Sequence, residues 1–139
     1  MIILDTNVVS ESLRPFPEQR VINWLNNQIA PTVYTTSTTV AEMLIGIELL
    51  PEGKRKHSLG MMLAEVSERL FAGRILPFEV LAARKMAEVN RIAVSRGYNI
   101  LFADCQIAAI AALHNYAVAT RDEAPFRAAG ITVINPWTA

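Results

Sequence analysis

Three aspartates stand out among the acidic residues of this 139-residue chain. Ten of its thirteen acidic residues are glutamates, and only Asp5, Asp104 and Asp122 are aspartates. Glutamate is common on solvated helix faces, whereas aspartate is depleted within strands and helices and concentrates at caps, turns and ligand sites. The three aspartates are therefore the first candidates for chemistry, and Glu42 joins them because of the helix that carries it.

Apolar patterning predicts the elements that must position these four residues. Runs of apolar or β-branched residues predict five short strands, at residues 2–4, 32–36, 74–77, 116–120 and 131–134. Apolar residues at helical spacing predict helices at residues 18–29, 40–50, 57–71, 79–96, 102–114 and 124–129. Because strands and helices alternate, the sequence predicts an α/β fold in which helices cover both faces of a short parallel sheet.

All four carboxylates are expected at one edge of that sheet. Asp5 directly follows the first strand and Asp122 follows the fourth, so both lie at the carboxyl ends of parallel strands. Asp104 is in the first turn of the helix that returns the chain to the start of the fourth strand, and Glu42 is in the first turn of the helix after the second strand. Ligands of such sheets bind beyond the carboxyl ends of the strands.

Four negative charges at one edge would repel each other and raise one another's pKa values. A hard divalent cation such as Mg²⁺ or Mn²⁺ removes that repulsion, because it prefers oxygen ligands and is commonly held by a few carboxylates, waters and a substrate phosphate. Such an ion activates water and neutralises charge on a phosphodiester under in-line attack. No His or Lys is placed in the sequence to act as the base instead.

Each carboxylate also has a purely structural explanation. Asp5 could cap a helix that starts near Asn7, and Asp122 could be a turn residue. Asp104 could be favoured in its first turn by the helix dipole, and a glutamate such as Glu42 is common in a first turn. These explanations account for each residue alone but not for the placement of all four at one edge.

Composition excludes several classes of protein. Hydrophobic residues make up 52% of the chain, which rules out disorder, and the formal net charge of zero rules out a strongly basic nucleic-acid binder. No apolar run approaches the length of a membrane span, and the first twelve residues are not expected to be a secretory signal. The single cysteine, Cys105, cannot form an internal disulfide, so a reducing cytoplasm is the expected location.

Four short motifs, in this order, resemble the PIN-domain nucleases. They are LDTN at 4–7, AE with a glycine at 41–46, AD with IAA at 103–109 and ATRD at 119–122. The chain is more narrowly similar to VapC-type toxins of bacterial toxin–antitoxin pairs and to their FitB-like branch, which FAGRILPF at 71–78 and NPW at 135–137 also resemble. The similarity spans essentially the whole chain and implies a single PIN domain over residues 1–139.

The resemblance implies a three-layer α/β/α domain with Mg²⁺- or Mn²⁺-dependent endoribonuclease activity. The acidic positions of the family fall on Asp5, Glu42, Asp104 and Asp122, as metal-binding and catalytic residues. The polar positions that line the same pocket fall on Asn7 and Thr120. Many relatives carry one more acid before a phenylalanine after this last motif, and here Pro125 precedes Phe126 instead.

The resemblance also implies protein partners. VapC-type relatives are dimers and are held inactive by a cognate antitoxin, whose tail covers a groove and whose other end binds operator DNA. Three segments of this chain, VINWL, VAEMLIGIELL and MMLAEV, carry more apolar surface than a chain of this size usually hides, which favours both self-association and a second protein. No helix of the chain itself is predicted to read DNA, so operator contact is expected only through the antitoxin.

Several other residues are candidates for a functional role. Arg74 and Arg121 are near the predicted site and are candidate phosphate contacts, whereas the basic cluster at 54–57 is better explained as a solvated turn between helices. Cys105 is expected to be a small buried helix residue rather than a nucleophile. Trp24 and Trp137 could stack on bases, but packing in a core or interface is the favoured interpretation.

Two functions of different classes follow. The first is a metal-dependent endoribonuclease toxin, in which Asp5, Asp104 and Asp122 bind the cation and Glu42 binds it or orients the attacking water, leaving a 5′-phosphate and a 3′-hydroxyl. The second is a dimeric binding module that mainly forms a DNA-binding repressor complex with its antitoxin and cuts little RNA. A phosphatase acting through an aspartyl phosphate is disfavoured, because it needs a second aspartate where Asn7 stands.

Overall fold

A computed structural model describes all residues from 1 to 139 and contains twelve main elements. The strands are β1 (Ile2–Leu4), β2 (Val33–Thr36), β3 (Ile75–Leu76), β4 (Ala117–Ala119) and β5 (Val133–Ile134). The helices are α1 (Thr6–Ser12), α2 (Gln19–Asn26), α3 (Ser37–Glu48), α4 (Lys54–Glu65), α5 (Val80–Ser95), α6 (Phe102–His114) and α7 (Glu123–Ala128). None of the helices is both long and apolar enough to cross a bilayer.

The five strands form one parallel sheet in the order β3-β2-β1-β4-β5. The central strand is β1, whose Ile3 pairs with Tyr34 on β2 and with Val118 on β4. The ladder between β1 and β4 continues one residue beyond the strand, because the backbone N–H of Asp5 donates to the carbonyl of Ala119 at 3.0 Å. The carboxyl ends of β1, β2 and β4 therefore meet at one edge.

Two apolar clusters lie on opposite faces of the sheet. The larger cluster joins Ile3 and Val118 to the buried face of α6, where Ile107 and Ile110 are fully buried. The smaller cluster packs Leu4 and Ala119 against residues of α1 and α2. Because helices cover both faces, the predicted three-layer α/β/α architecture is confirmed.

The predicted elements are present, with some of their ends shifted. All five strands occur where they were predicted, and α6 has the predicted bounds. The helix predicted at 40–50 begins earlier, at Ser37, because the side chain of Thr36 caps it. The segment 57–71 divides into α4 and a π-helical turn at Val66–Leu70.

Two local predictions are wrong. The basic cluster at 54–57 is not a turn between helices but the first turn of α4, where Lys56 bonds to Glu52 at 2.8 Å. No helix was predicted over residues 6–12, yet Thr6 and Asn7 are the first two residues of α1. In both places a polar stretch that lacks an apolar stripe is helical because the neighbouring residues pack against the rest of the molecule.

Candidate active site

The structure places all four candidate carboxylates at the carboxyl edge of the sheet. Asp5 lies between β1 and α1, and Asp122 lies between β4 and α7. Asp104 is in the first turn of α6, as predicted, whereas Glu42 is in the second turn of α3 rather than the first, because that helix begins at Ser37.

Electrostatics shows that these four groups lie within reach of one another. Burial, together with the smaller effects of the charges of Asp5, Asp122 and Glu42, raises the pKa of Asp104 from 3.8 to about 6. Burial also raises the pKa of Asp5, and the charges of Glu42 and Asp122 add to that increase. An acidic pocket defined by Asp5, Glu42, Asp104 and Asp122 is therefore present at this edge.

Asp5 is fixed by both oxygens of its buried carboxylate. Its Oδ1 accepts the backbone N–H of Thr6 at 2.7 Å and so caps α1. Its Oδ2 accepts the hydroxyl of Thr120 at 2.8 Å and the amide of Asn7 at 3.3 Å. The capping explanation for Asp5 is therefore correct, but the same carboxylate also belongs to the acidic pocket.

Asn7 and Thr120 join the ends of β1 and β4. The Asn7 amide donates to the Thr120 hydroxyl at 3.1 Å, and its carbonyl Oδ1 accepts the backbone N–H of Arg121 at 3.1 Å. The backbone N–H of Asp122 in turn donates to the Thr120 hydroxyl at 3.1 Å. These contacts hold the backbone on both sides of Arg121 in a fixed position relative to Asp5.

Two hydroxyl residues that were not predicted as site residues support Glu42. The Thr6 hydroxyl donates to Glu42 Oε1 at 2.6 Å, and the hydroxyl of buried Thr39 lies 3.2 Å from that of Thr6. Thr6 is adjacent to Asp5 in LDTN, so its place in the motif was the available signal. The contact with Glu42 could not be predicted because it depends on how α1 packs against α3.

The donor set of the acidic pocket fits a hard divalent cation. Its four side chains offer only carboxylate oxygens, and none of the six ion pairs in the structure neutralises any of them. No three His, Cys, Asp or Glu side chains are nevertheless arranged to hold one metal ion between them. The pocket thus has the ligand chemistry for Mg²⁺ or Mn²⁺ without a closed protein cage, and Mg²⁺ commonly binds one or two carboxylates and keeps several waters.

The other candidates have structural roles. The guanidinium of Arg74 donates to the backbone carbonyls of Val33 and Leu70, which directs it to the protein backbone rather than to a ligand. Cys105 is fully buried, and burial raises the pKa of its thiol, which opposes a role as a nucleophile. Trp24 and Trp137 both pack against the smaller apolar cluster, in agreement with the favoured interpretation.

A cleft of about 670 Å³ opens beside the acidic pocket, between α1, α3 and α4. Thr6 and Glu42 form the end of the cleft nearest the pocket. Six apolar residues line the rest of it: Leu13, Met43, Ile47, Leu50, Leu59 and Met62. The cleft combines an apolar surface with direct access to Glu42 of the acidic pocket and to Thr6, which bonds to it.

The fold and the acidic pocket are matched by a known family. The PIN domain model matches residues 2–131, so the chain belongs to the PIN-domain family. Two curated relatives cover nearly all of it. The chain is 47% identical over 137 residues to toxin FitB of Neisseria gonorrhoeae, covering 99% of each chain. It is 42% identical over 137 residues to VapC ribonuclease Y4jK of Sinorhizobium fredii, covering 99% of this chain and 98% of the relative.

Solved structures agree with this assignment. The crystal structure of FitAcB from Neisseria gonorrhoeae superimposes with a TM-score of 0.94 at 47% identity, over 100% of both chains. The structure of FitAB bound to an IR36 DNA fragment has a TM-score of 0.93 at 47% identity, over 99% of this chain and 96% of the other. The arrangement of strands and helices described above is therefore that of the PIN domain.

Proposed function

We propose that this chain is a metal-dependent endoribonuclease that acts as the toxin of a type II toxin–antitoxin pair, with one PIN domain across residues 1–139. The observation that carries the proposal is the acidic pocket, in which burial and the neighbouring charges raise the pKa values of Asp5 and Asp104, and in which no carboxylate has a Lys or Arg partner. A cluster of carboxylates that repel one another in this way is suited to binding a cation. The similarity to a VapC ribonuclease supports RNA as the substrate.

Each pocket residue has a defined role in this proposal. Asp5, Asp104 and Asp122 would hold the cation, one or two of them directly and the rest through its waters, and Glu42 would hold it or orient the attacking water. A bound Mg²⁺ or Mn²⁺ would supply Lewis-acid chemistry and a more acidic water. Thr6 holds one Glu42 oxygen in place through its 2.6 Å hydrogen bond.

Asn7 and Thr120 support the acidic pocket through their hydrogen bonds to Asp5. Both donate to Asp5 Oδ2 and fix its rotamer, and the Thr120 hydrogen bond partly opposes the increase in the pKa of Asp5 that burial causes. The cost of reorienting this group when substrate binds is correspondingly small.

The proposed partners are a cognate antitoxin, a second copy of the chain and, through the antitoxin, operator DNA. The relatives FitAcB and FitAB bound to DNA support the antitoxin assembly. The apolar cleft beside Glu42 offers a surface for an antitoxin segment. Exposed apolar side chains elsewhere favour a homodimer, or a larger assembly with the antitoxin; Leu49, Val80, Leu81, Leu101 and Phe102 are all more than 60% exposed. An RNA substrate and an unpaired cysteine are consistent with action in the cytoplasm.

The test is cleavage of end-labelled transfer RNAs and bulk RNA with Mg²⁺, with Mn²⁺ and with EDTA. Wild-type protein should give discrete cuts with 5′-phosphate ends that disappear in EDTA. Asp104→Asn should fold normally and lose at least about a hundredfold in rate, because a group expected to contact the cation is neutralised. A folded Asp104→Asn protein that cuts at the parental rate would falsify the assignment.

A binding module is the second candidate, and one observation favours it. No three side chains of the pocket enclose a metal site. A protein that has lost the ability to cut RNA would have the same feature. In that case the chain would mainly form a DNA-binding repressor complex with its antitoxin. Lone expression separates the two functions: growth arrest that depends on Asp104 supports the nuclease, and normal growth with an intact repressor complex supports the binding module.

A further inference from the structure

Arg121 differs from most arginines of the chain because its guanidinium is exposed and forms no ion pair or hydrogen bond within the protein. Arg14 pairs with Glu11 at 3.2 Å and Arg127 pairs with Glu123 at 2.6 Å. Arg121 makes no ion pair with any carboxylate, and only its backbone N–H, not its side chain, forms a hydrogen bond within the protein. All five of its side-chain N–H donors are available to a ligand.

The position of this free cation is nevertheless fixed at two points. Its backbone is held by Asn7 Oδ1 at 3.1 Å, and Asn7 in turn contacts Asp5 of the acidic pocket. Its guanidinium lies over the indole ring of Trp137, 5.4 Å from the ring centre. The side chain is therefore preorganised at the border of the acidic pocket, so binding to it costs little conformational entropy.

Trp137 is a firm platform for the guanidinium. It packs against the smaller apolar cluster, its backbone N–H donates to Asn135 Oδ1 at 3.0 Å, and its carbonyl accepts from Arg20 at 3.2 Å. A guanidinium that stacks on an aromatic ring through its face keeps its N–H edge free. That edge matches the spacing of two phosphate oxygens.

We propose that Arg121, held over Trp137, binds a backbone phosphate of the RNA strand that enters the acidic pocket; this inference rests on the proposed ribonuclease function. The four pocket carboxylates repel a polyanion, and none of them is paired with a basic side chain. A fixed cation at the border of the pocket offsets that repulsion and sets where the strand lies. The Trp137 ring acts only through Arg121, as a positioning group.

The test measures binding in Asp104→Asn protein, so that cleavage does not interfere. The probe is a fluorescein-labelled single-stranded RNA of mixed sequence, titrated at fixed Mg²⁺ over a series of salt concentrations. Arg121→Ala should weaken binding about tenfold, as expected for a lost charged hydrogen bond. It should also reduce the slope of log affinity against log salt by about 0.7, the value for one phosphate contact in a single strand.

Matched variants separate the contributions of the planar guanidinium, of its positive charge and of the Trp137 ring. Arg121→Lys should keep the salt slope but lose affinity, because it retains the charge without the planar fork. Trp137→Phe should also keep the slope and weaken binding by roughly twofold to fivefold. The same Trp137→Phe change should have no further effect once Arg121 is alanine, because the ring acts through the guanidinium.

Lys85→Ala is the control for a general loss of positive charge. Lys85 lines a cavity with Met1 and Ala117, at the amino ends of β1 and β4 and thus at the edge opposite the acidic pocket. Equal losses for Lys85→Ala and Arg121→Ala, or unchanged binding and slope for Arg121→Ala, would overturn the phosphate contact. If the Asp104→Asn protein with Arg121 intact binds no RNA at all, the proposed function fails instead.

Discussion

At the residue scale, the pocket shows that a structural and a functional role need not exclude one another. Asp5 caps α1 through one oxygen and meets Thr120 through the other. Because the cap fixes the carboxylate, the same hydrogen bonds that stabilise the helix also orient a candidate metal ligand. A replacement that removes the charge of Asp5 therefore also weakens a cap, and Asp104 is the cleaner position for testing the pocket.

The raised pKa of Asp104 predicts how the stability of the metal-free protein depends on pH. Its pKa is about 6 in the folded state against an ordinary value of 3.8, so the folded state holds this proton more tightly than the unfolded chain. Stability is therefore lost as the pH rises from about 4 to about 6. Asp104→Asn lacks this loss and should be more stable than wild type by on the order of 1–2 kcal/mol near neutral pH, after allowance for solvent screening.

Thermal melts in EDTA from about pH 4 to about pH 8 measure this effect. The two proteins should converge at the acid end, and Mg²⁺ should stabilise wild type more than the variant. A wild-type protein that remains as stable as Asp104→Asn at neutral pH without metal would show that the pocket charges do not repel as inferred.

The sequence was sufficient to predict the four carboxylates but not the hydroxyl groups that hold Glu42. Three aspartates among thirteen acids are rare enough to attract attention, and chain order alone places them at strand and helix ends. Thr6 and Thr39 are two of many threonines, and their contacts with Glu42 and with each other exist only because α1 and α3 pack side by side. A side-chain hydrogen bond between distant segments leaves no periodic pattern in the sequence.

At the element scale, the five strands and six of the seven helices were predictable, whereas α1 and the ends of several elements were not. Apolar runs define buried strands, so all five appear where predicted, but the outer strands β3 and β5 keep only two paired residues each. The start of α3 depends on which of several adjacent hydroxyl residues becomes the cap. That choice moved Glu42 from the first turn to the second without moving it away from the acidic pocket.

The cap of α3 gives a prediction about stability. The hydroxyl of fully buried Thr36 accepts the backbone N–H of Thr39 at 3.1 Å. Thr36→Val keeps the shape but leaves that N–H without its partner, so it should lower the free energy of unfolding by about 1–2 kcal/mol. Urea unfolding measures the change, and Thr36→Ser, which keeps the hydroxyl, should lose less. Equal losses in the two variants would assign the effect to packing rather than to the cap.

At the scale of the whole molecule, apolar surface is left uncovered on the helices. The cleft between α1, α3 and α4 is one such region, and it ends at Thr6 and Glu42. An antitoxin segment seated there would bury apolar side chains and at the same time reach the residues of the acidic pocket. The antitoxin would then bind the toxin and inhibit its acidic pocket through one continuous surface.

Two adjacent methionines on α4 test this arrangement. Met62 lines the cleft, whereas Met61 is 62% exposed and lies outside it. Met62→Glu places a charge in the cleft and should weaken co-purification with the antitoxin by at least about tenfold, because a carboxylate buried against apolar side chains loses its hydration. Met61→Glu should leave co-purification intact. The readout is pull-down after co-expression with the reading frame immediately upstream, and equal capture of both variants would exclude the cleft as the binding surface.

The hydrogen bond between Thr120 and Asp5 has a consequence for the timing of synthesis. It joins residues 115 positions apart, and Asp122 follows two residues later. A growing chain acquires Asp5, Glu42 and Asp104 long before β4, the strand that pairs with β1 and leads into Asp122. Under the proposed function, a ribosome must translate as far as residue 122 before the pocket can close, so a nascent chain that stops short of β4 has no complete pocket with which to cut its own messenger.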